Sequence, residues 1–574
     1  MSRHLVRRLS AGETIRPNAP GKARASSLLS LTVLGVVACA TTPPAQPGAP
    51  ASAPATAPTE AAASPPPPPP VNEPPAPTLE FPNEAFRKEQ PKGLAARPLK
   101  TPPLTRFSLP AGISVYLIER PNLPIVSMSL TFEGGGRTDP AGKEGRASVC
   151  ASLISAGTEK LDRIAFDETL ADIASEIGSG ASDEQHWVSL DTLKKNLSPT
   201  LDLFAETVLR PGMRPDEFDR SIKRRIAGLT QMKGNPAAVA SRLSASIVHG
   251  TNHAFGKFPT EATYGAISID DCKKFLAEYV KPQGAKLFVV GAITKAEVIA
   301  EMTPRLKGWT GRPKAAPAIT ASKPRDGKIF FVDIPNAQQS VVQLMHLGPS
   351  RLAPDYQQTA LMASILGGGF TSRINMNIRE KHGYAYGARG GFEYTRKGGV
   401  FRAGASVKRD VTKESILEMC KEIRGIHAAS GDTAPKDDEL VREKNGRILA
   451  LPAQFSTGSS TLGAYRDLIY FGLPLNYYDG LVAKVEAIQL DAVKKAAQKH
   501  LQPEKMQLLV VGDGKSVLPK LKELAGGKEI GGKLVQLDVD GKVIGDSSPD
   551  SKPAEKPTNT SQMTPAKPSP RKGG

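Results

Sequence analysis

The feature that most constrains this 574-residue chain is one long unit that occurs twice. Ile113–Asn122 reads as a strand running into a Pro-Asn turn, and a second strand, Ile125–Phe132, follows it. Lys328–Asn336 repeats the strand and the turn, with a strand at Ser340–Leu347 behind it. The turns Pro121-Asn122 and Pro335-Asn336 lie 214 residues apart. The unit ends match as well. Tyr279–Gly291 parallels His500–Gly512, each a Pro-containing turn before an apolar strand, and Val290 and Val511 are separated by 221 residues. Two independent offsets that agree this closely argue against chance. The expected fold is α+β: two homologous repeats, 100–310 and 326–530, each an antiparallel sheet packed with helices. A Pro-rich linker at 311–325 joins them, and a short hairpin and disordered tail at 531–574 follow.

Helical periodicity within the repeats puts Phe166, Leu170, Ile173 and Ile177 on one face, and Ile416, Met419, Ile423 and Ile426 on another. Phe392–Thr395, the Lys397-Gly-Gly399 turn and Val400–Val407 read as a hairpin.

The N-terminal end is of another kind. Six Arg and Lys residues precede the apolar run Leu28–Ala38, which is too short to span a bilayer. The run ends Val36-Val37-Ala38-Cys39 and resembles a bacterial lipobox, so 1–38 is expected to be a signal peptide and Cys39 the lipidated new N-terminus. Between Thr41 and Glu80, 15 of 40 residues are proline and 10 alanine, which cannot build a core; 39–99 is read as an extended tether. Ala40 is not the aspartate associated with inner-membrane retention. The expected address is therefore the bacterial cell envelope, at the outer membrane, facing the periplasm or the exterior.

The net charge of +18 includes +5 from residues 1–38. It favours anionic surfaces or acidic peptides, and no RNA-recognition, zinc-finger or basic-zipper pattern accompanies it, so no nucleic-acid partner is expected. Cys150, Cys272 and Cys420 sit in apolar or helical contexts and read as buried, reduced thiols. Val510–Ser516 imitates a phosphate loop but has Leu509 where the first glycine belongs. His249 and His253, at i and i+4, have no carboxylate nearby in sequence and read as loop or packing residues.

Glu133-Gly-Gly-Gly-Arg137 through Gly145, then Ile177–Ser189, resembles the N-terminal half of the insulinase/pitrilysin zinc peptidases. Leu366-Gly-Gly-Gly-Phe-Thr-Ser-Arg-Ile374 with Arg379–Tyr386 resembles their C-terminal half, and the likeness covers about residues 103–520. Active members carry H-x-x-E-H on one helical face, with a distant glutamate completing the zinc site. Here Ser148 and Ser152 stand at the histidine positions and Ala151 at the base, and Arg220–Thr260 holds no Asp or Glu. The resemblance therefore implies no catalytic residue and no metal or other cofactor on this chain. Zinc is expected on a partner subunit that bears H-x-x-E-H.

The resemblance also implies that Arg379 and Tyr386, with Gly367, Gly368 and Gly369, bind substrate; Tyr384 is the alternative tyrosine. On this reading the chain is the non-catalytic half of a two-chain peptidase, lipid-anchored to the membrane, that holds extended or unfolded peptides. The alternatives are a stand-alone peptide-binding scaffold lipoprotein and an active zinc endopeptidase.

Overall fold

The computed structural model describes residues 99–527 and 529–546, all within one compact unit. The signal segment, Cys39, most of the tether and the tail beyond residue 546 lie outside the described residues.

The first sheet is built from β1 (Thr105–Ser108), β2 (Ser114–Glu119), β3 (Ile125–Glu133), β4 (Glu176–Ala181), β5 (Gln185–Leu193) and β6 (Lys286–Gly291). The second contains β7 (Ile329–Asp333), β8 (Gln339–Gly348), β9 (Ala385–Tyr394), β10 (Gly399–Lys408), β11 (Gln507–Gly512), β12 (Leu534–Leu537) and β13 (Val543–Asp546). Their orders are β1-β2-β6-β3-β5-β4 and β13-β12-β7-β11-β8-β10-β9. Five strands of each sheet thus occur in the same spatial order, which is the duplication seen in three dimensions.

Two details depart from expectation. The sheets are mixed: β2 runs parallel to β6, and β7 parallel to both β11 and β12. The returning strand reaches its neighbour through a long helical crossover, which permits the same direction, whereas a hairpin forces the opposite one. The flanking strand also differs in origin. β1 precedes β2 and pairs with it antiparallel, while the corresponding place beside β7 is taken by β12 of the C-terminal hairpin.

The helices that position the sites are α1 (Arg146–Ile154), α2 (Arg163–Asp172), α3 (Pro215–Met232), α4 (Pro236–His249), α5 (Ile269–Tyr279), α6 (Tyr356–Ala363), α7 (Thr412–Ala428) and α8 (Gly458–Phe471). α7 buries Ile416, Met419, Ile423 and Ile426 completely, as its periodicity predicts. α2 is shorter than expected. The Asp162 side chain caps it at Ala165 N, and it stops at Ile173, where Ser175 N bonds back to Leu170 O. Ala174 takes a positive φ of 47°, and Ile177 belongs to β4.

Helix α4 of the first repeat lays Val239, Leu243 and Ile247 against Phe330, Val332, Met345 and Leu509 of the second sheet. Helix α8 of the second repeat packs on β6, placing Leu462 and Tyr465 in one core with Tyr116, Ile118, Phe288 and Val290. Neither sheet is therefore covered by its own repeat alone. Polar contacts reinforce the exchange: Arg242 Nη1 bonds Asp540 Oδ1 at 2.9 Å, and Arg396 Nη2 approaches Glu133 Oε1 at 3.4 Å.

One cysteine expectation is overturned. Cys150 on α1 and Cys272 on α5 form a disulfide, with their Cα atoms 4.8 Å apart across 122 residues of sequence. Only the packing of α1 on α5 brings them together. Cys420 is the buried thiol expected, and burial pushes its pKa up to about 12.

Candidate functional site

The glycine-rich loop before α1 exists because side chains would not fit there. A Cβ on Gly135 (φ 92°) would lie 2.1 Å from Ser182 O, and one on Gly145 (φ 97°) 2.5 Å from Tyr264 Cε1. Asp139 then starts the helix. Its carboxylate accepts from Gly145 N and Ala147 N, each at 2.8 Å, which satisfies donors that have no partner in the first turn. Burial nevertheless pushes the Asp139 pKa up to about 6, against these bonds and the nearby Arg146.

Ser148 and Ser152 are one turn apart on α1 and so share a face. That face meets α3. Arg225 Nη1 donates to Ser148 Oγ at 3.2 Å, and its Nη2 donates to Ser148 O at 3.0 Å and Ser152 Oγ at 3.1 Å. The Tyr264 ring lies 5.9 Å from the guanidinium. Ala151, at the position of a base, is fully buried, and its carbonyl accepts from Ser179 Oγ of β4 at 2.7 Å. This donor set does not fit zinc. Hydroxyls are weak ligands, and a guanidinium that cannot lose its proton repels a divalent cation. Among the described residues no group of three His, Cys, Asp or Glu side chains could hold a metal ion. Sequence reasoning noted the missing carboxylate but not its replacement. The signal was an arginine 77 residues after Ser148, in the interval where an acid was sought.

In the second repeat, α6 continues into a wide π-type turn at Ser364–Gly368, and after an extended break at Gly369 a second follows at Met376–Lys381. These bring three side chains together at the surface. The Arg379 guanidinium lies 4.8 Å from the Tyr386 ring centre and 4.9 Å from that of Phe370, with its Nε 2.9 Å from Glu380 Oε1. Tyr386 is 83% exposed and Phe370 55%, so the pair implied by the family resemblance stands open to solvent with an aromatic neighbour that the sequence did not single out. Tyr384 does not share this position. It precedes β9, stacks on His382 at 4.8 Å and packs against the core.

The three glycines divide. A Cβ on Gly367 would lie 2.2 Å from Gly390 N, and one on Gly368 3.0 Å from Ser364 Oγ, so both answer to internal packing. Only Gly369 has open space around it. No described hydrogen bond or ring contact joins the Ser148–Ser152–Arg225 cluster to the Arg379–Tyr386–Phe370 cluster.

The remaining sequence candidates resolve as packing. His249 and His253 stack at 5.1 Å and hold the linker, through Ser322 Oγ at 2.6 Å from His249 Nδ1 and Thr320 O at 3.0 Å from His253 Nε2. They border a cavity of about 300 Å³. Burial, then the neighbouring His253 and Arg402, lowers the His249 pKa to about 4. The helix after Gly512 is no phosphate site, because its first amides are already taken. Gly514 N donates to Asp333 Oδ1 at 2.7 Å and Ser516 N to Asp513 Oδ2 at 3.2 Å.

Each sheet ends in an edge strand near one of the two clusters. β4 is the last strand of the first sheet and is bonded to α1 through Ser179; β9, which begins at Ala385, is the last of the second.

Comparison with known proteins gives a consistent likeness. Residues 114–254 match the family model for insulinase (peptidase family M16), and residues 266–446 match that for the peptidase M16 inactive domain. A Helicobacter pylori protein named non-peptidase homolog YmxG is 22% identical over 413 residues, covering 71% of this chain and 93% of that one. The probable mitochondrial-processing peptidase subunit beta of Arabidopsis thaliana is 20% identical over 459 residues, covering 76% and 84%. A crystal structure of a peptidase M16 inactive domain from Pseudomonas fluorescens superposes with a TM-score of 0.65 at 23% identity, covering 72% of this chain and 98% of that one.

Proposed function

The chain belongs to the insulinase family of peptidases, and from that premise we propose that it is the non-catalytic member of a two-chain zinc peptidase. It forms half of a chamber that holds extended or unfolded peptides, and the partner subunit, bearing H-x-x-E-H, carries the zinc. The observation that carries this reading is the contrast between the two clusters. Where a metal site would need two imidazoles and a carboxylate, Arg225 is bonded to Ser148 and Ser152, yet Arg379 and Tyr386 remain together and exposed. A guanidinium can bond a peptide carbonyl, and a phenol can donate to an oxygen on which charge develops. The outer edge of β4 offers unpaired backbone groups to an extended peptide, in the manner of an added strand, whereas on β9 Ala388 N already donates to Asn375 Oδ1 at 3.0 Å.

Attachment to the envelope through a lipid on Cys39 belongs to the same proposal. The Cys150–Cys272 disulfide supports it, since such bonds persist in oxidising compartments outside the cytoplasm. Among the described residues no helix is long and apolar enough to cross a membrane.

A mild-detergent pull-down of the tagged protein from its own cells is the first test. A near-stoichiometric partner with H-x-x-E-H is expected. In the assembled pair, Arg379→Ala lowers peptide cleavage about tenfold or more without dissociating the subunits. Unchanged cleavage removes Arg379 from the mechanism. Recovery of this chain alone favours a stand-alone peptide-binding scaffold, and stoichiometric zinc on the purified chain overturns the proposal.

A further inference from the structure

The Arg225 cluster has a property that the loss of a metal site does not require. Arg225 makes no ion pair among the described residues; its partners are two hydroxyls, one carbonyl and, at 3.5 Å, the hydroxyl of Ser221. The acids of its own helix, Asp216, Glu217 and Asp219, all precede Arg220, and two of them pair with Arg220 itself; from Arg220 to Thr260 there is no acidic residue, and none of the helix's acids pairs with Arg225. Lys223 and Arg224 are exposed on the same helix, also without an ion pair among the described residues, and add to the positive potential there.

Of the five N–H groups of the guanidinium, four point at these oxygens and one on Nη1 is left over. The Ser148 hydroxyl accepts from Arg225, and its own hydrogen has no acceptor among the described residues. Two unused donors, on atoms 3.2 Å apart, therefore lie side by side at a half-buried positive charge, held in place by the bonds to Ser148 and Ser152. Donors without acceptors around an unneutralised cation suit an oxyanion and nothing cationic. The edge of β4, where a peptide would add, is tied to the same helix by Ser179.

We infer that Ser148 Oγ and Arg225 Nη1 form a carboxylate-binding site, so that the position at which relatives with H-x-x-E-H gather a cation here gathers an anion. The ligand is a carboxylate of an extended peptide, either an acidic side chain or the C-terminus. This rests on the peptide-holding reading and narrows its substrate class to acidic segments.

The test uses the full-length protein in detergent and four fluorescent peptides of one sequence. They carry a central Glu or Gln, each with a free or an amidated C-terminus. Peptides bearing the recognised carboxylate are expected to bind about tenfold tighter than those without it. Which pair differs identifies the side chain or the terminus as the source. In R225Q all four bind alike, at the affinity of the neutral peptide, while R225K, which keeps the charge without the fork, retains part of the preference. A preference that survives in R225Q, or no preference in the wild type, overturns the site.

A second measurement separates this failure from failure of the peptide-holding reading. N-acetylglutamate α-amide should raise the thermal midpoint of the wild type and not of R225Q, and the glutamine analogue should shift neither. That response without any peptide binding upholds the carboxylate site and overturns the peptide chamber. No response and no peptide binding overturn both.

Discussion

In the first repeat a straight helix, α1, turns Ser148 and Ser152 onto Arg225 and, on another side, is bonded through Cys150 to Cys272 of α5. In the second repeat the equivalent helix, α6, gives way to wide turns that leave Phe370, Arg379 and Tyr386 at the surface. The same five-strand order thus supports a cross-linked polar cluster in one half and an exposed cation between two rings in the other. The difference lies in what each side chain needs. Most donors of Arg225 are satisfied within its own repeat, whereas Arg379 has only its neighbour Glu380 and two ring faces. The first cluster is bonded to its helix, and the second stands exposed to solvent.

The covalent tie should give the largest separation between the halves. Cys150→Ser with Cys272→Ser opens a loop of about 120 residues and is expected to cost about 4–5 kcal/mol in urea unfolding under oxidising conditions. Cys420→Ala in the second repeat should cost about 1 kcal/mol. Equal losses would mean that the disulfide does not distinguish the repeats.

Backbone packing beside the exposed cluster comes next. Gly367→Ala forces a methyl onto Gly390 N and should cost about 3 kcal/mol, while Gly369→Ala, with open space around it, should stay within about 0.5 kcal/mol. If both are silent in thermal unfolding, the close approach of the 364–368 turn to β9 is not structural.

The smallest contrast is in acid. His186 of the first repeat and His346 of the second are fully buried, and burial lowers their pKa values to about 3 and about 4. His346 Nε2 accepts from Gln502 N at 3.2 Å, which requires the neutral ring. Both pKa values are depressed below the unfolded value, so the unfolded state binds the extra protons. The stability from keeping the rings neutral is complete above about pH 6.5 and is lost as the pH falls toward 4. At pH 5 each histidine costs about 2 kcal/mol. Asp139 works the other way: its raised pKa makes its burial less costly as the pH falls through about 6. Asp467 of the second repeat, its pKa likewise raised by burial, acts in the same sense, so both repeats carry some compensation. His346→Leu should flatten the fall in urea-unfolding free energy between pH 7.5 and pH 5 by about 2 kcal/mol, and His186→Leu should do the same while leaving the Asp139 gain visible. A pH profile indifferent to both substitutions would show that these rings are hydrated.

Much of this was legible in order and spacing. The paired Pro-Asn turns located β2, β3, β7 and β8, the i, i+3, i+7 pattern located α7, and the family resemblance paired Arg379 with Tyr386, which lie together. Where the pattern misled, a local signal was overruled. Ile173 and Ile177 keep helical spacing, but the chain reverses at Ala174, so Ile177 ends up in a strand.

The sequence by itself determined that the chain is duplicated and, through its resemblance to the zinc peptidases, that α1 carries hydroxyls and an alanine where they have imidazoles and a base. Such facts concern neighbours along the chain, within a turn of a helix or a few residues of a strand. Tertiary structure decided that Cys150 meets Cys272, that Arg225 fills the gap beside Ser148, and that α4 and α8 are exchanged between the sheets. These contacts join residues about seventy to well over a hundred positions apart. Their formation depends on which faces remain to be buried once the strands have paired, a quantity that no window of sequence contains.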